Sequence, residues 1–175
     1  TELTDAQLVE VVHGLTWWGG VGLAVTGALS IVAGIAFVLY RTRWHRRRAA
    51  TGETGPDATT NAVIGAVIAA LTSFVPGSPL LGGAVAGYLG RADGSNGVRT
   101  GALVGLVISV PVVVLFAFLV GGTAVVGSAV GLGTLTVAVA FVLLVALALT
   151  VLTVVGLSAL GGYLGVEIAT RQRTP

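Results

Sequence analysis

The stretch that decides the fold is NAVIGAVIAALTSFVPGSPLLGGAVAGYLG, residues 61–90. It contains no Asp, Glu, Lys, Arg or His, and Pro76-Gly77-Ser78-Pro79 interrupts it near its middle. Two prolines that flank Gly-Ser are typical of a turn, so the stretch predicts two helices, over about 60–75 and 79–91. The second helix is short, about 13 residues or roughly 20 Å. It either thins the bilayer locally or forms a re-entrant segment.

Three further stretches lack all five of these residue types: residues 17–40, 100–120 and 134–166. Apolar runs of about 20 residues match the hydrocarbon core of a bilayer, about 30 Å thick, at about 1.5 Å of rise per helical residue. Charged residues make up 9% of the chain, whereas soluble domains have about 25%. The sequence therefore predicts an all-α fold, a polytopic transmembrane helical bundle. It has about five membrane helices, including the short Pro-Gly-Ser-Pro helical hairpin.

The order of polar and apolar segments predicts four regions. Residues 1–16 form an extracytoplasmic amphipathic lead-in, in which Thr4 and Gln7 have capping-box spacing, and residues 17–40 form a membrane anchor helix. Residues 41–60 form an Arg-rich cytoplasmic linker, and residues 61–175 form a helical membrane bundle. Within the bundle, we expect a Gly-rich outer segment from Gly121 to Gly133 to separate the last two spans.

The arginines distinguish two topologies. If residues 61–90 crossed the membrane once, five arginines would lie inside and four outside, whereas a hairpin puts all nine on one side. Basic residues concentrate on the cytoplasmic side of membrane proteins, so the hairpin is favoured. The prediction is an integral protein of the cell membrane with its N-terminus outside, its C-terminus in the cytoplasm, and residues 76–79 at or toward the outer face.

Small residues repeat at spacings of four along the bundle. The pairs are Gly83 and Gly87, Gly101 and Gly105, Gly161 and Gly165, and Gly65 and Ala69. Where no Cβ intervenes, helix backbones approach closely and gain van der Waals contact. We therefore predict that these glycines are helix-packing positions. Their contacts lie either within one bundle or between subunits, in a homo-oligomer or with other membrane subunits.

A cluster of basic residues follows the first span: Arg41, Arg43, Arg46, Arg47 and Arg48. Such a cluster is typical of a stop-transfer signal. It also suits the binding of anionic lipid headgroups, at about 1 kcal/mol per arginine near a charged leaflet. Nucleic acid is not an expected partner, because no folded basic surface accompanies the cluster.

The residue types that carry catalysis or hold metals are sparse. The chain has no Cys, His13 and His45 fall on opposite sides of the membrane in the hairpin topology, and no acidic or His cluster has ligand spacing. No phosphate-binding Gly-Lys-Ser/Thr sequence is present. The spans hold no ionisable side chain, the usual marker of transport or catalysis inside a membrane. We therefore expect no enzyme activity, no metal and no cofactor.

The segment FVPGSPLLGG, residues 74–83, is followed by Gly87-Tyr88-Leu89-Gly90. With these residues, the chain resembles an uncharacterised family of multi-pass membrane proteins from halophilic archaea, a domain of unknown function. The resemblance covers about residues 61–120, and the N-terminal anchor and residues 121–175 lie outside it. It implies a membrane protein and carries over no activity.

Three functions are open on these grounds. The leading hypothesis is a non-catalytic integral membrane protein, a structural or accessory subunit that packs through small-residue helix seams. The alternative is a pore or carrier for a small solute, suggested by the interruption at residues 76–79 and by Pro111, because broken helices recur in transporters. The third is an envelope or lipid-organising membrane protein.

Overall fold

The computed structural model describes residues 4–51, 58–73, 75–90 and 96–172. These residues form five helices and contain no strand. The helices are α1 (Asp5–Thr51), α2 (Ala58–Leu71), α3 (Ser78–Gly90), α4 (Gly97–Ala129) and α5 (Gly133–Arg171). The prediction of an all-α fold is therefore confirmed for this part of the chain.

Three of the helices are long and apolar enough to cross a membrane: Asp5–Leu39 within α1, Gly97–Ala129 and Gly133–Arg171. Thr60–Leu71 is a shorter apolar helix. Large apolar side chains cover the outer surface of the long helices, and Val137 and Phe141 on α5 are each more than half exposed. Helices that are apolar on every side need apolar surroundings.

Helix α1 is one continuous element. Its N-terminus has the predicted capping box, because the Gln7 N–H donates to Thr4 Oγ1 at 3.4 Å and the Thr4 N–H donates to Gln7 Oε1 at 3.1 Å. The helix then runs through the expected boundaries at residues 16/17 and 40/41 and ends at Thr51. No proline falls within it, so nothing in the backbone chemistry stops the helix before the Gly-rich residues 52–57, which lie outside the described residues.

A tight turn joins α2 to α3 at the predicted place. Gly77 has a φ of 91°, a conformation that costs glycine little and other residues much more. The Gly77 carbonyl accepts from the N–H groups of Leu80 and Leu81 at 2.9 and 3.3 Å, so α3 begins at Ser78. The two helices therefore form the hairpin that the proline pair indicated.

The last two helices are longer than expected. Helix α4 contains Pro111 and continues to Ala129, so most of the expected outer segment from Gly121 to Gly133 is helix, which corrects that prediction. The helix ends in a Schellman motif, with Gly131 at a φ of 73°. In this motif the Leu132 N–H donates to the Gly127 carbonyl at 2.9 Å.

The chain divides into two compact units. Unit 1 comprises Thr1–Tyr40 and Pro111–Leu149, and unit 2 comprises Arg41–Val110 and Thr150–Pro175. Unit 2 has a small core of buried Ala62, Ala66, Ala86 and Val104. Its side chains are so small that helix backbones, more than side chains, meet at its contacts.

Candidate functional site at the glycine-lined helix contacts

Helices α3 and α5 meet along a contact made largely of glycine and main chain. A Cβ atom added to Gly83 would overlap the main chain of Ser158, and one added to Gly87 would overlap the main chain of Gly162. Because both pairs advance by four residues in the same direction, α3 and α5 run parallel. We refer to this contact as the α3–α5 seam; it is formed by Gly83, Gly87, Ser158, Gly161, Gly162 and Gly165.

The α3–α5 seam is reciprocal. A Cβ on Gly161 would overlap the main chain of Leu80, and one on Gly165 would overlap the main chain of Ala84. Every residue of the seam is buried. Since the atoms in the way belong to backbone, any side chain placed at a seam glycine must push the two helices apart.

Helix α4 approaches α5 in the same way. A Cβ on Gly101 would overlap the main chain of Ser158, and one on Gly105 would lie 2.6 Å from the Cα of Val155. These contacts advance in opposite directions along the two helices, so α4 and α5 are antiparallel. The main chain of Ser158 is therefore enclosed between Gly83 of α3 and Gly101 of α4, and Ser158 is 0% exposed.

Helix α2 joins unit 2 through Gly65. A Cβ added to Gly65 would lie 2.8 Å from the Cβ of Ala86 and 2.9 Å from Cγ2 of Val104. A Cβ added to Gly82 would lie 2.7 Å from the Cβ of Ala69 and would overlap the Gly65 carbonyl oxygen. The contacts show that α2 and α3 are antiparallel and that Gly65 touches both α3 and α4.

The structure places every glycine that the sequence singled out at one of these contacts: Gly65, Gly83, Gly87, Gly101, Gly105, Gly161 and Gly165. Three further contact glycines, Gly82, Gly97 and Gly162, were not among those singled out. The same signal marks them, because each has a small residue four positions away, at Ala86, Gly101 and Ser158 respectively. All of these contacts lie within one chain.

Unit 1 packs differently, with side chains set against glycine. A Cβ on Gly122 would lie 2.5 Å from the Cβ of Trp18, and one on Gly22 would lie 2.8 Å from the Cβ of Phe118. The rings of Trp18 and Phe118 have centroids 6.4 Å apart and are tilted by 38°, within the range of favourable aromatic pairs. Glycine therefore makes room here for aromatic side chains of the opposite helix.

The basic cluster continues the backbone of α1. Of the arginines at 41, 43, 46, 47 and 48, the structure describes the side chain of Arg43, which is exposed. Arg99 is also exposed, in the first turn of α4. Near the end of α5, Arg171 Nε donates to Glu167 Oε1 at 3.0 Å, and both side chains are solvent-accessible. An exposed guanidinium group is well suited to a phosphate group.

Hydroxyl groups in the apolar helices bond mainly to their own helix. Ser109 donates to the Gly105 carbonyl at 2.8 Å and Thr123 to the Leu119 carbonyl at 2.7 Å, which satisfies these donors without water. In contrast, Ser158 Oγ is buried without a hydrogen-bond partner among the described residues. Ser158 therefore suits the α3–α5 seam by its small size.

Within the ranges that the structure describes, no three His, Cys, Asp or Glu side chains come together as a metal site. His13 lines a shallow groove on α1 together with Trp17 and Gly20, while the side chain of His45 lies outside the described residues. The expectations that the chain has no metal, cofactor or enzyme activity stay predictions.

The long, outward-apolar helices define a membrane-embedded helical protein. Within that class, the chain belongs to a family of unknown function, DUF5518, whose model matches residues 59–168. The match takes in α3, α4 and most of α2 and α5, and with them the α3–α5 seam. It extends beyond residues 61–120, so the expectation that residues 121–168 lie outside the resemblance was wrong. No curated protein and no solved structure matches the chain.

Proposed function

We propose that this chain is a non-catalytic integral membrane protein that serves as a structural or accessory subunit. The observation that carries the proposal is the enclosure of the Ser158 main chain between Gly83 and Gly101. Helices whose backbones are in direct contact form a rigid scaffold. They also leave large apolar side chains facing outward, where lipid and other membrane helices are the available partners.

The proposed topology places the N-terminus outside and the C-terminus in the cytoplasm. Two findings support it: α2 and α3 are antiparallel, as in a hairpin, and Tyr88 near the end of α3 donates to Gln172 Oε1 after α5 at 3.2 Å. The end of α3 and the end of α5 therefore share one end of unit 2, where Arg171 also lies. The positive-inside rule assigns that end to the cytoplasm.

The same arrangement favours anionic lipid headgroups as partners. Arg43, Arg99 and Arg171 are exposed, and each arginine near an anionic leaflet contributes about 1 kcal/mol of attraction. We propose that Arg41, Arg43, Arg46, Arg47 and Arg48 bind such headgroups. Flotation with vesicles would test this, since binding should fall when phosphatidylglycerol is replaced by phosphatidylcholine and when salt is raised.

Subunit contacts, in a homo-oligomer or with other membrane proteins, need a surface other than the α3–α5 seam, because the seam is filled within one chain. Native mass spectrometry of protein extracted from its own membranes tests the subunit proposal. We expect a mass at least twice that of one chain, or a mass that includes another polypeptide. A single chain carrying lipid alone would count against a subunit and would favour the envelope or lipid-organising alternative.

Two variants sharpen that experiment. Gly27 on α1 has no atom within 4 Å of an added Cβ, whereas Gly83 has Ser158 against it. Gly83→Leu should damage the fold of each chain, while Gly27→Leu leaves each chain folded and alters the assembly only where α1 makes the contact. The pair therefore separates loss of folding from loss of association.

The rival function is a pore or carrier for a small solute. It rests on the helix break at Pro76-Gly77 and on Pro111 within α4, since discontinuous helices recur in transporters. A solute flux that depends on the purified protein in vesicles would favour this function over the scaffold. The halophilic archaeal source implied by the resemblance stays a prediction.

A further inference from the structure

The α2–α3 hairpin is too short to cross a bilayer. Helix α2 has 14 residues and α3 has 13, which correspond to about 21 and 20 Å at about 1.5 Å per residue. The hydrocarbon core is about 30 Å thick. Measured from the end of α3, the turn at residues 72, 73 and 75–77 therefore falls about 10 Å short of the opposite side of the core.

The register of α3 on α5 gives the depth of the turn in unit 2. Gly83 lies against Ser158 and Gly87 against Gly162, so extending the parallel register backward puts Pro76 level with about Val151. From there, Glu167 is about 24 Å away along α5. That distance is shorter than the hydrocarbon core, which is about 30 Å thick.

Four N–H groups of the turn are satisfied within the hairpin. The N–H groups of Thr72, Ser73, Val75 and Ser78 donate to carbonyls within the hairpin at 2.9, 3.2, 2.8 and 3.1 Å. Pro76 and Pro79 have no N–H group. Inside hydrocarbon each unsatisfied backbone group costs several kcal/mol, so irregular backbone there needs such internal bonding.

The large apolar side chains around the turn face outward, beside the hydroxyl-bearing Thr72, Ser73 and Ser78. Leu71 is 71% exposed, Val75 38% and Leu81 42%, and residues 61–90 carry no charge. Large apolar side chains at the tip of a turn are unfavourable in water. They suit lipid hydrocarbon.

From these four observations we propose that the α2–α3 hairpin is a re-entrant segment. Its turn sits among the lipid chains of the leaflet on the side of Arg99 and Arg171, and it does not reach the opposite face. The hairpin thus occupies one leaflet only and contacts its lipids. This lipid-contacting role goes beyond the proposed subunit function. The proposal does not depend on which side is cytoplasmic.

Site-directed spin labelling tests the proposal, because the chain has no Cys. The probe site is Val75→Cys, with Leu71→Cys as a second site for the case in which the first variant folds poorly. The matched control in hydrocarbon is Leu152→Cys, which is 69% exposed on α5 close to the level of the turn. Ser128→Cys and Thr170→Cys, both exposed near helix ends, serve as controls for the two aqueous faces.

In vesicles of phosphatidylglycerol and phosphatidylcholine, we expect labels at 75 and 71 to match the label at 152. They should be accessible to oxygen, protected from a nickel chelate, and unreactive as free thiols toward an impermeant maleimide from either side.

Reaction of the thiol at 75 from the side that labels 128 would show a spanning hairpin. Reaction from the side that labels 170 would show a turn in water. Protection from both oxygen and nickel would show a protein covering the turn. Each of these three results would overturn the proposal.

Discussion

Gly83 of α3 lies so close to Ser158 of α5 that a single added methyl group would overlap the Ser158 carbonyl. A methyl group added to Gly101 of α4 would overlap the same Ser158 carbonyl. Three helices thus converge on one peptide unit without a large side chain between them. This close contact is possible because glycine has no side chain. The smallest substitution, glycine to alanine, therefore tests it most directly.

The first prediction concerns that methyl group. Gly83→Ala should destabilise the folded protein by about 1–3 kcal/mol, as overpacking does in well-packed cores. The backbone atoms of Ser158 cannot relieve the overlap by changing rotamer, as side-chain atoms can. Gly156→Ala is the matched control: Gly156 is exposed on α5 two residues from Ser158, and nothing lies within 4 Å of an added Cβ. It should be neutral or stabilising by up to about 1 kcal/mol through helix propensity. Reversible unfolding in mixed micelles gives both values, and equal losses would contradict the packing assignment.

The second prediction is that Gly83 and Gly101 are coupled. Both would press a new methyl group against Ser158, from α3 and α4 respectively. Once one methyl group has displaced α5, the second meets a contact already opened, so the double variant should lose less stability than the two single losses combined. Coupling between residues that share a partner is about 0.5–3 kcal/mol. A double-mutant cycle in the same micelles measures it; strict additivity would mean that the two helices contact α5 independently.

Much of this arrangement is predictable from local chemistry. The hairpin follows from Pro76 and Pro79, which constrain backbone dihedrals and lack N–H donors. The packing glycines follow from their spacing of four, which puts them on one helix face. The spacing does not predict which helices contact each other. No local feature of Gly83 or Ser158 indicates that these two residues are in contact.

The composition of glycine-rich stretches also did not predict which of them form helix. Residues 121–133 have the composition of a loop, yet most of them are helical, because Gly122 and Gly127 are buried against Trp18 and Thr136. Tertiary contact outweighs the low helix propensity of glycine, about 1 kcal/mol per residue relative to alanine. Composition alone does not reveal which glycines have a partner.

The third prediction separates backbone conformation from packing. Gly131 and Gly133 both have open space around an added Cβ, but Gly131 has a φ of 73°. Gly131→Ala should therefore cost about 1 kcal/mol through left-handed backbone strain, whereas Gly133→Ala should be nearly neutral. Thermal unfolding followed by circular dichroism compares the two. If the two variants melted alike, the Schellman motif would not be what ends α4.

The fourth prediction decides between scaffold and proton-coupled carrier. Proton-driven transport uses carboxylates or histidines placed along the membrane path, and the carboxylate of α5, Glu167, is exposed beside Arg171 at the end of that helix. We expect Glu167→Gln to insert normally and to lose at most an exposed ion pair, about 0–1 kcal/mol. Thr170→Gln, also exposed on the last turns of α5, is a control for changes at that helix end.

Vesicles containing the protein and a pH-sensitive dye report proton movement under an imposed gradient. No flux above that of empty vesicles is expected from the unaltered protein or either variant. A flux that requires the protein, survives Thr170→Gln and disappears in Glu167→Gln would replace the scaffold with a carrier, because a rigid backbone-packed bundle has no reason to depend on a single carboxylate.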